Sequence, residues 1–458
     1  MNTLYLPLAV DSNYQPLSVS KQLAIALAKA VPKSSKIKKA TLIGWPLLLV
    51  KYRKSEGYVV FDETLSIETK LQFTVLQDYE KIVKQLESTK NESEILAILK
   101  SYRWKEVRGK EEEIFKGAIP DDISPLFSYT YSGKPLPLKI LDKNITDFDI
   151  ENIINNISSR ESIILENINK INEIEEKINT IITILKGKKA EERKQIEDKY
   201  DSMIKEKTEE LKNQVAISKK GLEDELRNEA NKLYSKMPEI EVMVGEKELD
   251  FEADNMLQKE LENALSIKSK YLNEIQEKLN EIKNKYKAEI RNIKNQLEEL
   301  KLQKQRELNA IDARIKELND LQKIIIDQLE ELKQTCNNEL EKLRLFIKKA
   351  PFDADKVEVI LPFLLVVDTR NNVRVIQPQI YNDKRRSSFF GLFKKDVSEI
   401  SNDINVNLSA FSNIIMQKSA ELKDNLKSPQ LSSLIEQGLN ELYEDGWGVR
   451  KSLNEYYG

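Results

Sequence analysis

The chain has 458 residues, a third of them charged (73 Lys+Arg against 76 Asp+Glu), with a formal net charge of −3. Charge this dense and evenly balanced fits solvated helix faces and argues against a nucleic-acid binder that relies on a basic excess. The absence of histidine and the single cysteine, Cys336, exclude His-based triads, His metal ligation, a histidine pH switch and an intrachain disulfide.

The first residues, MNTLYLPLAVDSNY, show no basic stretch followed by an apolar one, so no signal peptide is expected. The longest apolar runs, 42–50 and 359–367, are about half the roughly twenty residues a spanning helix needs, and read as buried strands. A cytoplasmic protein is the expectation. Composition divides the chain into three. Residues 1–145 hold most of the proline and many aromatics. Residues 146–350 are rich in Glu, Lys, Asn, Ile and Leu. Residues 351–458 regain proline and aromatics and end in a helical tail.

In the first region, 18–30 and 77–86 carry helical apolar faces. Trp45-Pro46-Leu47-Leu48-Leu49-Val50 is followed by a polar turn and a second β-rich run, 58–61, which reads as a β-hairpin.

The central region opens with Thr146 ahead of Asp147 and Asp149, a capping hydroxyl and two first-turn acids at the positive end of a helix. Apolar residues then recur at three and four, from Ile157 through Ile164, Ile171, Ile178 and Leu185 to Tyr200, Met203, Leu211 and Leu233. Gly187 and Gly221 each weaken this helix by about 1 kcal/mol relative to alanine, and Gly187 is its softest point. The segment 237–255, MPEIEVMVGEKELDFEADN, interrupts the pattern, because Pro238 and Gly245 stop helices. A returning stripe follows: Leu261, Leu265, Leu272, Ile275, Leu279, Ile282, Tyr286 and onward to Leu340, Leu343 and Ile347. Its sustained 3-4 alternation predicts a coiled coil, with stutters around Tyr286 and Cys336. Nearly equal arms around one breaker predict a long antiparallel hairpin within one chain, each arm roughly 130–140 Å long. A shorter bundle bent at Gly187 and Gln303, or an intermolecular coiled coil, are the alternatives.

In the third region, Leu361-Pro362-Phe363-Leu364-Leu365-Val366 echoes the Trp45–Pro46 run and is followed by its own turn and short β-rich run, 373–376. Helical faces follow at 408–426 and 431–443. The predicted fold is therefore α-dominated: a coiled-coil hairpin arm (146–350) with its tip near 237–255, and a small α+β head assembled from 1–145 and 351–458.

A head with a long hairpin arm resembles, in layout alone, the chromosome-maintenance (SMC) ATPases and their zinc-hook DNA-repair relatives. The residues do not carry the chemistry over. No G-x-x-x-x-G-K-[ST] loop is present, and Gly187-Lys188 lies inside a helix. The run Leu364-Leu365-Val366-Val367-Asp368 looks like a Walker B strand but reads as a strand ending in a turn residue, and the tip lacks a Cys-x-x-Cys. Asp121 with Asp122 and Asp353 with Asp355 have the spacing of cation ligands, yet each follows a proline and fits a turn. No catalytic, cofactor or metal residues are assigned, and no enzyme activity is expected.

Two surfaces are candidates for partner binding. The first is the tip, read as a small β-hairpin turning at Gly245, where Val242, Met243, Val244 and Phe251 stand among seven acids. It suits a basic partner or a second copy of the chain. The second is 384–395, KRRSSFFGLFKK, where Arg385 and Arg386 flank Phe389, Phe390 and Phe393. That mixture suits an anionic membrane surface contacted peripherally, a protein groove or nucleic acid. The expected function is a non-enzymatic scaffold or spacer presenting head and tip to protein partners. The alternative is a nucleic-acid or chromosome-organising accessory protein working with a separate ATPase.

Overall fold

In the computed structural model, which describes residues 2–11, 13–133, 135–380 and 406–457, the chain forms two compact units. The first comprises Met1–Val83, Arg103–Glu175 and Asp327–Gly458, and the second comprises Lys84–Tyr102 and Glu176–Ile326.

The first unit is built on a sheet whose two central strands come from opposite ends of the sequence. Strand β3 (Ile37–Lys51) pairs antiparallel with β9 (Lys356–Asp368) along nearly their whole length, with Gly44 opposite Pro362 and Pro46 opposite Ile360. The two echoed apolar runs are thus direct partners. Each also makes the expected hairpin, β3 with β4 (Tyr58–Asp62) and β9 with β10 (Val373–Ile376). Each central strand is met on its outer side by a short parallel strand as well: β1 (Asn2–Tyr5) lies on β9 and β7 (Lys139–Ile140) on β3. The two halves are therefore arranged with pseudo-twofold symmetry.

That arrangement explains two prolines in central strands. Pro46 lies between the residues of β3 that pair with β7 (Ile43 and Gly44) and those that pair with β4 (from Leu47). Pro362 lies between the part of β9 that pairs with β1 (to Ile360) and the part that pairs with β10 (from Leu364). Each proline stands where the outer neighbour changes, so the missing N–H breaks no ladder.

Both faces of the sheet are covered. One carries Ala40, Leu42, Leu364 and Val366 against α1 (Val19–Ala30) and α8 (Pro429–Glu444). The other carries Trp45, Leu47, Leu361 and Phe363 against α7 (Ser409–Gln417) and Ile119–Phe127. Burial on two faces is why these strands read as continuous apolar runs and not as alternating ones. A separate ribbon pairs β5 (Glu68–Val75) with β6 (Gly109–Lys116), and two-residue strands β2 (Ala9–Val10) and β11 (Gln379–Ile380) form another pair; β8 (Ile347–Lys348) extends the main sheet beside β4. The start of α4 (Asp147–Tyr234) also packs within this unit, where Arg160 binds Glu111 and Glu113, and Tyr52 donates to Glu161.

Two long helices dominate the second unit. Helix α4 spans Asp147–Tyr234 (88 residues) and α6 spans Gln258–Arg344 (87 residues), joined by α5 (Met237–Ala253) and a 3-10 turn at Asn255–Leu257. Side-chain contacts between them step in opposite directions along the chain. Asn179 meets Gln322, Arg193 meets Asp312 and Tyr200 meets Glu307; further on, Gln214 meets Glu289 and Glu225 meets Tyr286, and α5 continues the order with Glu241 on Lys268. The end of α2 (Tyr79–Ser88) and α3 (Glu92–Ser101, capped by Asn91) lie alongside, with Lys189 on Glu92 and Lys100 on Glu317. Among the described residues no helix is long and apolar enough to cross a membrane.

The turn differs from the sequence expectation. Residues 237–253 are helical, not a β-hairpin: α4 ends at Tyr234, and Pro238 stands in the first turn of a new helix, α5. Proline is tolerated in a first helical turn, where its missing N–H would have no partner. Ile240, Val244 and Phe251 then fall on one helical face, with Val244 fully buried. A Cβ on Gly245 would meet nothing within 4 Å, and the glycine stays helical at a cost of about 1 kcal/mol. The reversal comes at Asp254, whose carboxylate accepts the Met256 N–H at 2.8 Å. Moving the reversal from Pro238 to Asp254 shifts the register. Met203 lies beside Gln296, Leu300 and Gln303, whereas Tyr286 reaches Glu225.

Candidate functional site: the acidic tip of the helical unit

The tip is held from within by local pairing. Lys247 bridges Asp250 (3.1 Å) and Glu260 (2.8 Å), and Lys268 reaches Glu241 at 2.7 Å. The Glu260 and Asp250 carboxylates hold the Lys247 ammonium above its ordinary pKa. The Tyr271 hydroxyl donates to the Leu233 carbonyl at 2.5 Å, closing the break between α4 and α5.

These contacts set which side chains face outward. Val242 and Leu249, seven residues apart and so on one face of α5, are 60% and 69% exposed, and Met256 at the turn is 88% exposed. Around them stand Glu239, Glu241, Glu246, Glu248, Asp250, Glu252 and Asp254, against the single cation Lys247 in 237–255. On α6, Leu265 and Leu272 were expected in the seam but are 44% and 40% exposed. The inward positions are taken by Ala264, Lys268, Tyr271 and Ile275, themselves spaced four, three and four.

The four tip residues singled out from sequence therefore separate. Val242 is exposed, Met243 and Phe251 are half-buried, and Val244 is buried. An outward β-hairpin would have put alternate residues together; a helix sorts them by 3.6-residue period. Leu249 and Met256 were missed for the same reason. For Leu249 a signal was available: its seven-residue spacing from Val242 becomes visible once 237–253 is taken as helical, whereas Met256 lies beyond the reversal. Arg385, Arg386, Phe389, Phe390 and Phe393 lie outside the described residues.

Of the carboxylates weighed as cation ligands or as a Walker-like acid, Asp122 and Asp368 have local roles. Asp368 accepts the N–H groups of Arg370 and Asn372, each at 2.8 Å, and the Asn372 amide, an Asx-type turn that holds its carboxyl below the usual range. Asp122 accepts the Ser124 hydroxyl and N–H at the start of the 3-10 helix Ser124–Tyr129. In the sheet, Asp62 accepts five bonds, from Trp45 Nε1, Thr64 N and Oγ1, Ser66 N and Ile67 N. Lys143 joins Glu63 and Glu358, and burial raises the Glu63 carboxyl despite that cation.

No family model, no curated protein and no solved structure matches this chain.

Proposed function

We propose that the protein is a non-enzymatic intracellular scaffold whose α4 and α6 close on each other as an antiparallel coiled coil, and whose tip docks a basic, amphipathic helical segment of a partner protein. One observation carries this reading: three exposed apolar side chains, Val242, Leu249 and Met256, set in a field of seven acids at the reversal of the helices. Apolar anchors supply the area for association, while the surrounding charge selects a cationic partner and speeds its approach. The coiled coil is supported by the buried repeat of Leu297, Leu308, Leu318 and Ile325 and by the ordered contacts from Asn179–Gln322 to Glu241–Lys268. Its role is to hold the tip as a preorganised surface, which lowers the ordering cost of binding.

The test has two arms. A bis-maleimide should cross-link cysteines replacing Gln214 and Glu289 within single chains, and should fail with cysteines replacing Met203 and Ile290; the reverse result would discard the hairpin register. In the second arm, a cationic amphipathic helical peptide is titrated onto the full chain. Changing Val242, Leu249 and Met256 to Ser should weaken binding at least tenfold without altering thermal melting. Equal binding by the triple variant would remove the tip as the docking surface.

A further inference from the structure

A separate cavity in the first unit, about 500 Å³, lies where α1 ends. Four cationic side chains line it, Lys29, Lys33, Arg374 and Arg450, and among its described lining residues none is acidic. Val31, Val449 and Tyr456 give it an apolar and aromatic wall.

The cations are fixed to different degrees. Arg450 is the most rigid: its guanidinium donates to the carbonyls of Pro32 (3.0 Å), Lys33 (2.8 Å), Ser35 (2.8 Å) and Glu455 (2.9 Å), and it lies 4.7 Å from the centre of the Tyr456 ring. Arg374 reaches the Ala30 carbonyl at 3.4 Å, and the Lys29 ammonium donates to Gln379 Oε1 at 2.8 Å. Lys33 is exposed at the rim. The Gln379 amide nitrogen is buried and finds no acceptor among the described residues, which leaves a further donor beside Lys29.

The obvious structural reason for cations here is the C-terminal end of α1, whose macrodipole amounts to roughly half a negative charge. Four full positive charges exceed that several-fold, and Arg450 with Arg374 already occupies the carbonyls near the helix end. Among the described lining residues no carboxylate balances the rest. Asp368 feels Arg374, but its oxygens are taken by Arg370 and Asn372. Glu455 is exposed, and its side chain is met by the Ser452 hydroxyl at 3.5 Å.

We infer that this cavity binds a phosphorylated small molecule, its phosphate held by Lys29, Lys33, Arg374 and Arg450 and its organic body resting on Val31, Val449 and Tyr456. This goes beyond the scaffold reading and does not depend on it. Guanidinium and ammonium groups brought to one cavity from three segments of the chain suit a tetrahedral oxyanion. The volume exceeds what a bare phosphate needs and lies in the range of small-ligand pockets. Burial pushes the Lys29 pKa down, and an anion in the cavity would oppose that shift.

The experiment titrates inorganic pyrophosphate onto the full chain and follows methyl resonances by NMR. Saturable shifts at the Val31 and Val449 methyls, weakening with added salt, are the expected result. Replacing Lys33 and Arg374 together by Gln should weaken the titration about tenfold or more, because two charge-assisted contacts to the anion are lost. Absence of saturable shifts at both valines overturns the inference, and so does an affinity in the double variant within twofold of the parent. The wild-type titration is decisive by itself if the variant does not fold.

Discussion

The sheet of the first unit and the distal stretch of the helical unit are held together by different physics. In the sheet, β3 and β9 are buried on both faces, and their polar neighbours sit in closed networks such as that around Asp62. In the distal helices, from Tyr200 to the tip and back to Glu307, full burial is confined to isolated positions, namely Tyr200, Ser218, Val244, Ala264, Ile275 and Leu297. Between them the seam is half-buried and is laced by bonds such as Gln214–Glu289 and Glu225–Tyr286. Two helices alone can shield only one stripe of each other. Where α3 adds a third helix, closer to Lys189 and Glu317, buried residues become denser: Ile178, Ile182, Leu185, Leu318, Leu321 and Ile325. Burial here follows the number of covering elements more than the hydrophobicity of the stripe, since the distal stripe is also rich in Leu and Ile.

Thiol chemistry gives the largest expected difference between the regions. Cys336 belongs to the first unit, is fully buried, and burial raises its pKa to about 11. Because the thiolate is the nucleophile, alkylation at pH 8 should be slow both from protonation and from lack of access. A cysteine replacing Met203, which is 39% exposed, in a Cys336→Ala background should react about a thousandfold faster. Mass spectrometry of timed iodoacetamide labelling measures both rates. Equal rates without denaturant would mean that the first unit opens as readily as the distal helices, and the contrast would fail.

Next in size are two changes in the first unit. A Cβ on Gly438 would lie 2.0 Å from the Ser20 carbonyl oxygen, so α8 crosses α1 with no room for a methyl group. Gly438→Ala should cost more than about 3 kcal/mol, because the clash is with backbone. Asp62→Ala should cost about 2–3 kcal/mol by leaving buried donors unpaired. Thermal unfolding monitored by tryptophan fluorescence reads both, as Trp45 donates to Asp62. A change of less than about 1 kcal/mol in either would show that this core repacks more freely than its burial implies.

Much of this architecture was legible in the sequence, for stateable reasons. The echoed runs at Trp45–Pro46 and Leu361–Pro362 marked two hairpins, because a polar turn between two β-rich segments is a local signal. Their direct pairing was not readable, since nothing local encodes a partner more than three hundred residues away. The stripe from Ile275 to Leu343 marked α6 because its period persists over many turns. The tip misled because proline and glycine are read as breakers, whereas Pro238 sits at a first turn and Gly245 in open space. The same fault displaced the register and with it the outward residues Leu249 and Met256. The helix Glu92–Ser101 and the ribbon of β5 with β6 were also missed, being short elements whose identity depends on what they pack against. The cavity around Arg450 brings together residues from 28 to 456 and leaves no linear trace.

The smallest predicted effect separates two glycines that look alike in sequence. Both lie inside α4, and each should cost about 1 kcal/mol relative to alanine on propensity alone. A Cβ at Gly187 would meet nothing within 4 Å, whereas one at Gly221 would stand 2.8 Å from the Tyr286 hydroxyl. Gly187→Ala should therefore stabilise the helical unit by about 1 kcal/mol. Gly221→Ala should change it little, because the same gain is offset by displacing a ring whose hydroxyl binds Glu225 at 2.8 Å. Removing the ring recovers the difference: in a Tyr286→Ala background, Gly221→Ala should stabilise by the amount seen at Gly187. Urea unfolding of the four variants, followed by circular dichroism at 222 nm, measures the cycle. If Gly221→Ala stabilises equally with Tyr286 present or absent, the two residues do not face each other, and the register that places Met203 beside Leu300 is wrong with them.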